Sequence, residues 1–420
     1  MERLLQYVWK YRLYLAADLQ TAEGLAVTVI DPGLRNTDAG PDFFNAKIQI
    51  GDAVWAGNVE IHRKASDWKS HHHDKDPAYD SVILHIVEEA DATVYRTNGE
   101  IIPQAVIAIP PKIKYNMDWL LLRDTSLPCA ERIHEIEPIL ISSWMSSLLT
   151  ERLQRKVTDI FTLLEQYKDD WNEVFYIVLT RNFGFGSNSD AFESLAKSLP
   201  FKYILKQRCN SRQIEALLFG QAGLLNEKLD DAYYLLLQQE YHFLQQKYSL
   251  THMNFGLIKQ LRMRPTGFPH IRIAQLAAIW THHDTLFSRI LEDSRPETLK
   301  ACFDVALSEY WNTHYHFRFS SPKKKKTVGM SATHIILINT VVPILFAYGR
   351  KKCKPDYCTK ALQILEMLPP ERNSLITNFT DAGICIRNAC DTQALIQLRR
   401  EYCEKKKCLN CRIGFALIRK

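Results

Sequence analysis

Residues 40–89, GPDFFNAKIQIGDAVWAGNVEIHRKASDWKSHHHDKDPAYDSVILHIVEE, decide how the chain is read. Residues 43–50 and 53–61 have the length and the β-branched and aromatic content of strands. Gly51-Asp52 between them suits a two-residue hairpin turn with glycine at its first central position. Residues 81–87 read as a third, strongly apolar strand, and 66–73 as a short helix or loop. Side chains alternate faces along a strand, so Glu60, His62 and Lys64 share one face while Val59, Ile61 and Arg63 take the other. A carboxylate, an imidazole and an ammonium on one face, near Asp42, make a set that would hold a divalent ion and activate water.

The hairpin register tests that idea. A tight turn at Gly51-Asp52 pairs Ile50 with Ala53 and carries Asp42 opposite Ile61, on the wrong face for Glu60. One extra residue in the second strand restores the phase. Gly57 is the natural place for such a β-bulge, which would set Asp42 opposite His62 and beside Glu60. An unbulged ladder would argue against a metal site.

Outward from this stretch, residues 2–15 carry apolar side chains at helical spacing, and 25–30 read as a strand. Residues 92–109 predict two more strands around an Asn98-Gly99 turn, and Pro110-Pro111 closes the region. From about residue 139 the pattern is helical. Asn210 followed by Gln213 resembles a capping box, and 232–246, 271–290, 298–310 and 392–403 carry apolar stripes. The expected fold is α+β: an N-terminal mixed β-sheet domain with flanking helices (1–112), an all-helical domain (113–350) and a helical, basic, cysteine-rich C-terminal segment (351–420). A chain of 420 residues is too long for one ordinary core.

Composition excludes disordered and fibrous classes: 46% of residues are hydrophobic and 24% charged. The net charge of +6 is concentrated near the end of the chain, where residues 399–420 carry eight basic and two acidic side chains. Such a tail is able to hold phosphates, although charge runs are also ordinary solvated surface. The start of the chain lacks a signal-peptide core. The longest apolar run, residues 335–348, contains Asn339 and Pro343 and falls short of the roughly 20 residues that span a bilayer. It reads as a buried core helix. The expectation is a cytoplasmic protein with no membrane segment. Its ten cysteines are then reduced thiols or metal ligands, not a disulfide framework.

The strings GPDF, GNVEIHRKASDW and HHHDKDPAYDSVILHIV resemble the signature of a bacterial family designated domain of unknown function 2851. The similarity runs over nearly the whole chain, including INTVVPILFAYG (338–349) and YCEKKKCLNCRIG (402–414), and implies no established activity. The layout resembles, more distantly, the PD-(D/E)XK nuclease superfamily, which places a helix before a sheet, an Asp on one strand and an acid-x-Lys on the next. That resemblance implies Asp42 and Glu60 as ligands of Mg²⁺ or Mn²⁺ and a basic side chain orienting the attacking water. His62 stands where the pattern has Lys, and Lys64 is the alternative on the same face.

Two further clusters remain. His71, His72 and His73 are consecutive, so a regular helix or strand cannot aim all three at one ion. His62 with His71 or His73, Asp74 and His85 would still build a zinc-type site, whereas His85, inside an apolar strand, is more often a hydrogen-bonded core histidine. Cys403, Cys408 and Cys411 form C-x4-C-x2-C, a spacing that can grip zinc or an iron–sulfur cluster. Cys390 is the expected fourth ligand, provided the helix after it folds back. The leading expectation is a metal-dependent phosphodiesterase acting on nucleic acid, with Asp42, Glu60, His62 and Lys64 at its centre. The alternatives are a non-catalytic nucleic-acid- or protein-binding scaffold and a zinc-dependent hydrolase built on the histidines.

Overall fold

The computed structural model describes residues 2–14, 19–36, 38–123, 125–253, 257–260 and 263–420. The architecture is α+β, with a mixed sheet in the N-terminal part and helices after it. The chain divides into two compact units, residues 1–144 with 399–420, and residues 145–398. These divisions differ from those expected at 112/113 and 350/351. The first unit continues beyond Pro111 and takes back the last 22 residues of the chain.

In the first unit, helix α1 (Glu2–Lys10) buries Leu4, Leu5, Tyr7, Val8 and Trp9. It ends earlier than the expected 2–15, and residue 15 lies outside the described residues. The sheet follows: β1 (Val27–Asp31), β2 (Leu34–Arg35), β3 (Phe43–Ile50), β4 (Ala53–Lys64), β5 (Val82–Glu89) and β6 (Gln104–Val106). Strand order is β1-β3-β4-β5-β6, with β2 also on β3. β3 runs antiparallel to both β1 and β4, whereas β4, β5 and β6 run parallel. Between β4 and β5 lies the short helix α2 (Asp67–Ser70), which makes that parallel crossover possible. α1 packs against β4. As a result β4 is exposed over its first four residues but buried from Val59 to His62 on both faces. β5 is buried from Val82 to Val87, which is why VILHIV is a continuous apolar run and not an alternating one.

The β3–β4 register contains a bulge, but not where it was expected. Pairing starts at Ile50 with Ala53, holds to Ala46 with Gly57, then shifts so that Phe43 faces Val59. The extra residue therefore sits in β3, where Asn45 takes a left-handed backbone (φ 55°) and its N–H donates to the Asn58 side chain at 3.2 Å. Asn tolerates that conformation better than most residues. Gly57 serves another purpose. A Cβ there would come within 2.3 Å of Ile83 Cγ2 and 2.9 Å of the Ser81 carbonyl oxygen, so glycine lets β5 close onto β4. The expected strand pair over 92–109 forms only in part. Tyr95 and Ile101 make one bridge, and the chain then turns away because the open edge of β5 offers β6 a parallel ladder.

After the sheet, α3 (Pro111–Leu122) packs on the last helix of the chain, Arg412–Arg419, and the Asn116 amide donates to the Ile418 carbonyl at 3.2 Å. The second unit is helical apart from the two short strands His314–His316 and Phe319–Ser320. Asn210 caps helix Ser211–Gln221 through the Gln213 N–H, but the Gln213 side chain reaches Glu240 and leaves the capping box half made. The run Met330–Lys351 is continuous helix with a π turn at Leu337–Val341. It is long and apolar enough to cross a membrane by length and composition, yet it is mostly buried. Asn339 within it accepts from Lys156 at 2.8 Å and bonds to Asn182, so its polar groups are partnered inside the unit.

The close approach at Gly57 gives a direct test. Gly57→Ala forces a backbone oxygen away and should destabilise the protein by about 1–3 kcal/mol. A denaturation midpoint unchanged from wild type would refute the packing account of this glycine.

Candidate metal centre

The buried half of β4 carries Glu60 and His62 on one face, and the bulge brings Asp42 across from Glu60. The Asp42 N–H donates to Glu60 Oε2 at 2.9 Å, and the Ile61 N–H donates to Asp42 Oδ2 at 3.2 Å. α1 covers this group with two side chains one turn apart. Gln6 donates to Asp42 Oδ1 at 2.7 Å, and Glu2 Oε1 lies 4.0 Å from His62 Nε2. Arg35 in turn holds the Gln6 oxygen at 3.1 Å.

Two of the three consecutive histidines complete the group. His72 adopts a left-handed backbone (φ 64°), which breaks regular geometry and aims its neighbours the same way. His71 Nδ1 comes to 3.1 Å from His62 Nε2, and His73 Nε2 to 3.5 Å from Glu60 Oε1. His62 Nε2 is also 3.5 Å from Glu60 Oε1. The donor atoms of His62, His71 and His73 all lie within 4.8 Å of one another. His73 is held by stacking on Tyr79 at 3.7 Å between ring centres, with Trp68 at its edge. Trp68 and Tyr79 belong to a buried cluster with Ala65, Val82, Val87, Val94 and Ile102 under α2. His62, His73 and Glu60 are buried, whereas His71 is exposed and opens the group to solvent.

A relay behind His62 sets its orientation. His62 Nδ1 is 2.9 Å from His85 Nε2, and His85 Nδ1 is 3.4 Å from the Gln104 amide. A metal ligand at His62 Nε2 needs His62 to donate from Nδ1 to His85 Nε2; His85 then carries its own proton on Nδ1, and the Gln104 side chain must turn its oxygen toward it. With the Gln104 N–H donating to His85 Nδ1 instead, the relay runs the other way and the neutral His62 keeps its proton on Nε2.

Burial dominates the electrostatics of the group. Burial raises the pKa of Asp42 and raises that of Glu60 further, the negative charge of Asp42 adding to the effect on Glu60. Burial also lowers His62, His73 and His85, with neighbouring imidazoles pushing the same way. Without a cation, this environment favours neutral acids beside neutral imidazoles. A divalent ion would reverse the carboxylates and leave the imidazoles neutral, the state in which both kinds of side chain are ligands.

The structure thus brings Asp42, Glu60 and His62 together but leaves Lys64 out. Lys64 lies where β4 emerges into solvent, and its ammonium pairs with Glu89 at 3.1 Å. Asp74 is not part of the histidine group either. Reading residues 2–15 only as an amphipathic helix missed Glu2 and Gln6, although their i, i+4 spacing marks a shared face. Gln104 gave no sequence signal. Among the cysteines, Cys390 is not beside Cys403, Cys408 and Cys411. The residues between Cys390 and Cys403 stay helical and run into a π turn at Arg399–Cys403, so they do not fold back. The Cys390 sulfur lies against the Leu362 carbonyl instead. Cys129, which the sequence reading passed over, lies with the other three.

The pKa directions fix the sign of a pH dependence. Glu60 is raised in the folded state, so in metal-free protein its contribution to stability is present below the usual carboxylate range and is lost as pH climbs through neutrality. Metal-free Glu60→Gln should therefore gain on wild type between about pH 5 and 9, by on the order of 1–3 kcal/mol. The measurement is chemical denaturation of both proteins in chelator across that range. A constant difference would refute the raised carboxyl.

No curated protein and no solved structure shows significant similarity to this chain. A family model described as a protein of unknown function, DUF2851, matches residues 2–374 and so covers the sheet and the polar group but stops short of the final cysteine segment. The chain belongs to the DUF2851 family.

Proposed function

We propose that the protein is a metal-dependent hydrolase centred on Glu60, His62, His71 and His73, acting on phosphodiesters of nucleic acid. The observation that carries this reading is the convergence of donors. Separations of 3.1 Å and 3.5 Å among His62, His71, His73 and Glu60 approach the edge of about 3.3 Å expected for a tetrahedron with bonds near 2.0–2.1 Å. Three imidazoles and one carboxylate suit zinc or another transition ion, whereas the Asp42–Glu60 pair alone would suit Mg²⁺ or Mn²⁺. An ion held there would lower the pKa of a bound water and polarise a phosphoryl oxygen.

The remaining roles belong to the chain itself. Asp42 keeps Glu60 in place through its N–H, and His85 orients the His62 ring through Nδ1. Glu2 stands half exposed beside His62 and His71 and is raised by burial, placing a carboxyl where it would take a proton from attacking water. Support for phosphodiesters comes from the order of elements: a helix, four strands in antiparallel pairs, a short helix and a parallel strand, with Asp42 ahead of β3 and Glu60-Ile61-His62 on β4. Phosphodiesters are proposed because the distant nuclease resemblance was drawn from that order.

The test is cleavage of labelled single- and double-stranded DNA and RNA with Zn²⁺, Mn²⁺ or Mg²⁺ added to chelated protein. Glu60→Ala and His73→Ala should each lose at least about 100-fold in rate, while Lys64→Ala should stay within a few-fold of wild type. Activity with Mg²⁺ alone that survives His73→Ala would move the centre to the Asp42–Glu60 pair. Folded, metal-loaded protein that cuts none of these substrates would favour the binding scaffold.

A further inference from the structure

The second concentration of metal-ligating side chains in the first unit is made of sulfur. Cys129 precedes the 3₁₀ stretch Ala130–Glu135, Cys403 ends the π turn, Cys408 opens the 3₁₀ turn Cys408–Asn410, and Cys411 precedes helix Arg412–Arg419. The four line a single cavity with Leu120, Pro128, Tyr402 and Gly414. None is in a disulfide. Cys403 interacts electrostatically with Cys129, Cys408 and Cys411, and Cys129 with Cys408 and Cys411, so all four are mutual neighbours.

The backbone is shaped to bring them there. Lys406 takes a left-handed conformation (φ 47°) that reverses the chain between Cys403 and Cys408. Gly414 lets the Cys408 carbonyl press onto the last helix, where a Cβ would lie 2.3 Å from that oxygen. Burial raises the Cys411 thiol, as it does those of Cys129, Cys403 and Cys408, and the N–H groups of Ile413 and Gly414, which point at the Cys411 sulfur, oppose that rise only in part. Among the described residues no imidazole or carboxylate lines the cavity, and an all-sulfur donor set selects zinc or iron–sulfur clusters over hard cations.

We propose that Cys129, Cys403, Cys408 and Cys411 hold an iron–sulfur cluster, with Cys129 as the ligand remote in sequence. The spacing of the thiols separates the two soft candidates. A single zinc with Zn–S bonds near 2.3 Å needs sulfur–sulfur edges of about 3.8 Å. Among the described residues the histidine group alone has three or more donor atoms all within 4.8 Å of one another, so no three of these sulfurs are that close. A cluster places its thiolates on different irons and so does not require them to sit on the edges of one tetrahedron. This site shares no residue with the β4 centre and stands or falls separately from it.

The experiment is anaerobic purification of the full chain, with iron, acid-labile sulfide and zinc assayed beside the visible absorption spectrum. Wild type and Cys390→Ser should carry iron and sulfide and show a broad visible band that bleaches on reduction. Cys129→Ser and Cys408→Ser should lose the band, and circular dichroism would show whether each remains folded. Should either variant fail to fold, reconstitution of metal-free wild type with ferrous iron and sulfide gives the same test. One zinc and no sulfide would overturn the cluster. A band kept by Cys129→Ser and lost by Cys390→Ser would overturn the ligand assignment. No metal and no reconstitution would overturn the site altogether.

Discussion

Buried Glu60, half-buried Asp42 and the buried imidazoles of His62, His73 and His85 are the constraint around which the first unit is built. Each uncompensated charge in such a place costs several kcal/mol, so the fold must supply partners at short range. It does so from every direction. α1 contributes Gln6 and Glu2, the backbone of β4 contributes the Ile61 N–H, and β5 with β6 contributes His85 and Gln104. Removing the β3 bulge would send Asp42 to the other face and leave Glu60 without the N–H it now accepts. The cation proposed above would offset that cost.

Much of the sheet was legible because it is local. Gly51-Asp52, the flanking strands and the apolar run of β5 all follow from short-range pattern, and so does the shared face of Glu60 and His62. Phase alone showed that a bulge was required for Asp42 to join them. Its position was not legible, because the glycine that looks like a bulge is claimed by a non-local contact with Ile83 and Ser81. The left-handed His72 is likewise invisible to reasoning from regular structure, yet it turns three consecutive histidines into two that converge and one that faces solvent. Cys129 escaped notice because its partners are more than 270 residues away, and spacing rules see only near neighbours.

The two clusters differ in chemistry as sharply as in origin. One is nitrogen and oxygen on a strand and a turn, open to solvent through His71 and therefore suited to meet a substrate. The other is sulfur in an apolar hollow between short turns, closed by Leu120, Pro128 and Tyr402 and suited to holding chain segments together.

The return of residues 399–420 to the first unit also bears on how the chain is made. α3 is synthesised early, but the helix that packs on it, Arg412–Arg419, follows only after the whole of the second unit; Asn116 and its partner Ile418 lie 302 residues apart. On a ribosome the sheet emerges first and waits, its α3 surface uncovered, while 254 intervening residues are translated and given time to fold. Closing so long a loop costs little more than closing a short one, since each doubling adds only about 0.6 kcal/mol. The delay, more than the entropy, is the hazard: a nascent chain that stalls or is truncated near its end leaves the first unit without its last layer, although nearly all of its sheet has already been made.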